Sequence, residues 1–135
     1  MNRKQIILEY RTSGCIKGHR PAIVYMKKNI GKIYLEGQAD FILSIGKEHL
    51  YFQKLTLFLK KLQPSHDLKI AILDIASYNL RTYNLVTNCL TLYTMDRRFL
   101  EIYYNTKTAD TYASEQNILK IIELLKEQGK MEVKI

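Results

Sequence analysis

The sequence predicts a mostly β chain of the α+β class: an antiparallel sheet or open barrel of about seven strands, closed by one C-terminal amphipathic helix. Three observations predict it. Short runs rich in Val, Ile, Thr, Tyr and Phe recur at roughly ten-residue spacing, with Gly, Pro, Asn and Asp between them. Only residues 110–129 keep helical time, with Ile118, Ile121, Ile122 and Leu125 at i, i+3, i+4 and i+7. No helical run falls between the strands, which excludes βαβ units. The chain of 135 residues matches one domain, 1–135, and no linker, repeat or low-complexity tract divides it.

In order, IILEYRT (6–12) has strand composition, and Gly14, Gly18 and Pro21 punctuate a loop after it. Residues 22–29 (AIVYMKKN) form a second strand, turned at Asn29-Ile30-Gly31 into a third over 32–38. FILSI (41–45) and HLYFQKLTLF (49–58) pair through Gly46-Lys47-Glu48, the second with apolar groups on both faces. Pro64 interrupts the polar stretch 59–67, since it cannot donate to a ladder. Residues 68–84 read as a strand, a bend and another strand; 89–95 and 98–105 form a hairpin about Asp96-Arg97. The helix spans 111–128, with Thr111 or Ser114 as cap, Glu115 at its positive end and Gly129 as terminator. Burying its four main apolar side chains contributes roughly 6–12 kcal/mol before entropy is subtracted, so it must lie on the sheet. MEVKI (131–135) alternates and adds a short edge strand.

Charge is distributed unevenly. The net charge is +8; residues 1–66 hold twelve Lys/Arg against four Asp/Glu, and residues 67–135 hold nine of each. Such asymmetry points to an anionic partner. Lys17, Arg20, Lys27, Lys28 and Lys32 flank the first loop and hairpin, with Lys60 and Lys61 before the Pro64 loop. These seven are the candidate anion- or lipid-binding residues. The competing reading is that they solvate strand edges and block edge pairing. No apolar run approaches the ~18 residues of a membrane span. The start, MNRKQIILEYR, has only three apolar residues in a row, too few for a signal peptide. The expected place is the cytoplasm, or peripheral at a membrane.

The middle and end of the chain resemble the pleckstrin-homology-like superfamily, in its GRAM and bacterial variants. The matching stretches are Phe41 to Ser44, His49-Leu50-Tyr51-Phe52, IAILDI (70–75), the hairpin 90–104 with its Asp96-Arg97-Arg98 tip, and the helix 111–128. Residues 32–129 carry the resemblance, and 1–30 add an extra N-terminal strand or hairpin. It implies a non-catalytic binding module and assigns Asp74 to a turn. The spacing of the family's phosphoinositide-binding basic residues is not reproduced by Lys17, Arg20, Lys27 and Lys28, and the chain has no Trp.

Catalysis and metal binding find no constellation in the sequence. His19, His49 and His66 stand apart, and Cys15-x3-His19 supplies two ligands where zinc wants three or four. Cys15 and Cys89 lack CxxC spacing and read as free buried thiols. No cofactor is expected. Of ten tyrosines, Tyr25, Tyr34 and Tyr51 lie in the basic half, where aromatic faces and cations together suit nucleic acid. Tyr78, Tyr83, Tyr93, Tyr103 and Tyr104 lie in the neutral half. The expected partner is therefore another protein or a second copy, then anionic phospholipid, with a basic nucleic-acid-binding β-protein as the alternative.

Overall fold

The computed structural model describes residues 5, 8, 18–26, 39–54, 57–58, 61–62, 67–106 and 112–134. Its strands are β1 (His19–Met26), β2 (Ala39–Ile45), β3 (His49–Lys54), β4 (Leu57–Phe58), β5 (Lys61–Leu62), β6 (Asp67–Ala71), β7 (Ile75–Thr82), β8 (Thr87–Thr94), β9 (Phe99–Asn105) and β10 (Met131–Glu132). A 3-10 turn, Ile72–Asp74, separates β6 from β7, and the helix α1 is Tyr112–Glu127. Eight strands make one unclosed sheet in the order β10-β7-β8-β9-β1-β2-β3-β6, and β4 and β5 pair by themselves. The fold is thus mostly β with a C-terminal helix, as the sequence predicts. Every pairing is antiparallel except that of β10, which runs parallel to β7.

The corner at Ile72–Asp74 shapes the sheet. It links β6, one end of the strand order, to β7, next to the other end. Three residues reach at most roughly 10–14 Å, so the sheet must curl until its ends approach. The corner is tied on both sides: the Ile72 N–H donates to the Glu48 carbonyl at 2.9 Å, and the Met95 N–H to the Asp74 carbonyl at 2.8 Å. Asp74 stands in this turn, where its main-chain carbonyl accepts the Met95 bond.

Inside the curl lies one apolar core. Alternation sends Val24 and Met26 of β1, Phe41, Leu43 and Ile45 of β2, and Leu100, Ile102 and Tyr104 of β9 into it. Helix α1 lies on β1, β2 and β9, and Ile118, Ile121, Ile122 and Leu125 are all buried there. The helix ends in a Schellman motif: the Gly129 N–H donates to the Lys126 carbonyl and the Lys130 N–H to the Leu125 carbonyl, with Gly129 at φ 76°. Strand β2 is buried on both faces, because Ile42 and Ser44 on its other side are also 0% exposed.

Several local expectations change. Gln5 and Leu8 are helical, so a strand over 6–12 is not what forms at Leu8; Arg3, Lys4, Gln5, Leu8 and Glu9 are good helix formers. The strand predicted over 32–38 and its turn lie outside the described residues, and β1 pairs with β2 and β9. Of the predicted strand 49–58, His49–Lys54 form β3 and Leu57–Phe58 form β4, which pairs with β5; residues 55–56 lie outside the described residues. Ser114 does not cap α1; its hydroxyl donates to the Ile23 carbonyl at 3.2 Å.

Strand β1 begins irregularly. Its register with β2 shifts between His19 and Ala22, Arg20 has φ 51°, and Pro21 has no N–H to leave unpaired. Asn117 of α1 fills this irregularity, donating from Nδ2 to the Arg20 carbonyl and to the Leu43 carbonyl at 3.1 Å.

Candidate functional site

Among the described residues, two places on the sheet are open to a ligand. The first is the free edge of β6. In an antiparallel ladder, residues alternate between pointing their N–H and C=O at the partner and away from it. The Ile72–Glu48 bond fixes the phase, so Leu68 and Ile70 face β3, while the N–H and C=O of Lys69 and the N–H of Ala71 turn outward; the Ala71 carbonyl belongs to the 3-10 turn that it caps. No strand among the described residues takes them up. Beside this edge lies a cleft of about 320 Å3, lined by Lys69, Ile70, Ala71, Asp74, Met95 and Arg98 among others. Two large apolar side chains stand exposed at the corner and the hairpin tip, Leu73 at 73% and Met95 at 65%.

The hairpin tip that walls the cleft is tied by local bonds. The Thr94 hydroxyl and the Arg98 guanidinium both donate to the Asp96 carboxylate, the latter from Nε at 2.7 Å. Together they hold the Asp96 carboxyl below its usual range. Arg97 takes the left-handed conformation, φ 67°, that turns the chain into β9.

The second place is a pocket of about 280 Å3 lined by Tyr25, Tyr83, Tyr103, Tyr104, Thr87 and Asn105. The ladder explains the gathering. Arg81 of β7 is opposite Cys89 of β8, Cys89 opposite Tyr103 of β9, and Tyr103 opposite Tyr25 of β1, so one row crosses four strands. The Tyr25 and Tyr103 rings meet at 61° with centroids 6.4 Å apart; those of Tyr83 and Tyr103 meet at 74° and 4.9 Å. The Tyr103 hydroxyl donates to the Glu101 carboxylate, which also lies 3.4 Å from Arg81 Nη2. Burial, then that hydrogen bond, pushes the Tyr103 phenol well above its ordinary pKa. Cys89 is buried, and burial pushes its thiol up as well, which suits packing and opposes nucleophilic use.

Of the predicted basic residues, Arg20 is exposed on the irregular start of β1, and Lys61 belongs to the small β5 strand. Lys17, Lys27, Lys28, Lys32 and Lys60 lie outside the described residues. So do Cys15 and His66; among the described residues no three His, Cys, Asp or Glu side chains gather as metal ligands. Also among the described residues, no helix is long and apolar enough to cross a membrane. The tyrosine pocket was not foreseen. Its signal was the alternation of 23–25 and 101–105, which sends Tyr25 and Tyr103 to the face away from the core.

No protein-family model and no curated protein sequence matches the chain. Among solved structures it is similar to the hSac2 domain from human phosphoinositide phosphatase Sac2, with a TM-score of 0.54 and 11% identity over 98% of this chain and 88% of that one. At that identity the likeness is one of fold.

Proposed function

We propose that the protein is a non-catalytic interaction module of pleckstrin-homology-like type, which takes up an extended segment of another protein or of a second copy along β6. The observation that carries this reading is the outward N–H and C=O of Lys69 and the outward N–H of Ala71, taken up by no strand among the described residues, beside a cleft. Main-chain groups on such an edge give affinity to any extended peptide, and the neighbouring pockets give selectivity. Met95 on the cleft and Leu73 at the corner beyond Ala71 offer apolar contact, and Lys69 and Asp74 offer one charge of each sign. The mostly β sheet with one C-terminal helix supports the reading.

Ala71→Pro tests it. The substitution removes an outward donor and leaves the β3–β6 ladder intact. Self-association by sedimentation, and selection of extended peptides from a random library, should both be measured on wild type and variant. The expected result is a wild-type dimer or a selected peptide whose affinity falls about tenfold or more in Ala71→Pro. A monomer that selects no peptide, or affinity unchanged by Ala71→Pro, rejects the edge as the site.

A second reading, contact with anionic phospholipid at a membrane surface, is supported by the concentration of the entire +8 surplus before residue 67. The fold neighbour comes from a phosphatase of phosphoinositides, which agrees with it. Nucleic acid stands as the third partner class, and steep salt dependence would identify it.

A further inference from the structure

We propose that the β7–β8 hairpin inserts its tip, residues 83–86, into a lipid bilayer just below the headgroups. The inference rests on the membrane reading above and is independent of the β6 edge. Leu85 at the apex is 84% exposed, more than any other large apolar side chain among the described residues, and Val86 beside it is 45% exposed. Tight turns draw mainly on Gly, Pro, Asn, Asp and Ser, so two adjacent aliphatic side chains held in water at an apex call for an apolar partner.

What surrounds the apex suits lipid. Every residue from 82 to 95 is uncharged, and so are residues 102–106 along the adjoining β9. A charge carried into hydrocarbon would oppose insertion. The backbone of the tip is bonded from within. The Tyr83 and Asn84 N–H groups both donate to the Thr87 carbonyl, at 2.9 and 3.1 Å, and the Val86 N–H donates to the Asn84 Oδ1 at 3.0 Å. The Val86 carbonyl in turn accepts the Thr106 N–H at 2.9 Å. Main chain that enters a bilayer must bring its own partners, because no water meets it there. A turn bonded in this way takes Leu85 and Val86 below the headgroups without stripping water from those groups. Tyr83, half-exposed at the root of the turn, has the apolar ring and polar end that sit at headgroup level.

The shape selects a bilayer over a protein partner. Neither Leu85 nor Val86 lines either of the two clefts, and at its exposure Leu85 projects. Two aliphatic side chains and part of a ring offer much less than the ~800 Å2 per partner of a standard protein interface. A fluid acyl layer closes around a protrusion of any outline. The net charge of +8 adds attraction to an anionic surface, where a small apolar anchor and basic residues reinforce one another.

The chain has no Trp, so a single introduced Trp reports on its own position. Leu85→Trp and Leu73→Trp place it at two exposed sites beyond opposite ends of β7. Each variant is titrated with vesicles of phosphatidylcholine and phosphatidylserine, then with the same lipids brominated on their acyl chains. The emission of Leu85→Trp should shift to the blue and be quenched by brominated lipid, and that of Leu73→Trp should do neither. In flotation with the same vesicles, Leu85→Ser combined with Val86→Ser should lower the partition coefficient about tenfold or more. Its melting temperature should stay that of wild type, because both positions are exposed. Wild type that floats while the Trp at 85 is unquenched, or is quenched no more than the Trp at 73, overturns insertion by the tip and leaves the membrane reading standing. Wild type that does not float overturns both.

Discussion

Asn117 interrupts the apolar stripe of α1, yet it is 0% exposed. Its amide donates to the Arg20 and Leu43 carbonyls, and so stitches the helix to β1 and β2 where the β1–β2 register slips. Among the described residues, its own Oδ1 is buried without a partner. Asn117→Ala strips the donor from both carbonyls and should cost roughly 1–3 kcal/mol, read as a lower urea midpoint with an unchanged slope. Asn117→Asp should cost more, because it buries an unpaired charge facing two carbonyl oxygens. A variant as stable as wild type would mean that water reaches these carbonyls. Nothing local in the sequence announces this role, since Arg20 and Leu43 are remote from Asn117 along the chain. Gly18 was equally opaque. It reads as loop punctuation, yet a Cβ there would come within 2.7 Å of the Ile45 backbone, so close approach to β2 requires glycine.

Elements were legible where one period governs them. The 3.6-residue repeat of Ile118, Ile121, Ile122 and Leu125 located α1 and its buried face, and the glycine at 129 located its end. The bend within 68–84 and the Asp96-Arg97 tip were visible because turn residues break short apolar runs. The partners of β1 were not, because a strand of eight residues carries no mark of which distant strand it will meet. Burial of the helix face can be tested at one position. Ile122→Asp sets a carboxylate among the core residues of α1 and the sheet, and should remove more than about 3 kcal/mol or leave the protein insoluble. Melting at the wild-type temperature would make the helix peripheral. The end strand β10 is held differently, by the Val133 N–H to the Tyr78 carbonyl at 2.7 Å and the Asn79 amide to the Val133 carbonyl at 2.7 Å. One bond is main chain to main chain and the other comes from the Asn79 side chain, and neither uses a side chain of MEVKI, so the segment could be read as a strand but not as a parallel one.

For the whole molecule, the surplus of positive charge in the first half is the feature that bears on a membrane. Lys27, Lys28 and Lys32 replaced by Glu should abolish binding to phosphatidylserine vesicles at low salt, where about 1 kcal/mol per basic residue is at stake and screening is weakest. The control replaces Lys120, Lys126 and Lys130, on and after α1, and should bind as wild type does. Identical binding by both variants, or none by wild type, would assign the basic half to solubility. A different consequence follows from the position of β1 between β2 and β9. Tyr25 is paired with Tyr103, so one side of β1 has no partner until most of the chain exists. At the usual ~5–20 residues per second, the ribosome takes roughly 4–15 s to pass from one to the other. For that interval β1, β2, β3 and β6 can assemble only as a half-sheet with an apolar strand at its margin. During synthesis the nascent chain therefore depends on shielding, by a chaperone or by its own N-terminal segment, at an edge that the finished protein no longer has.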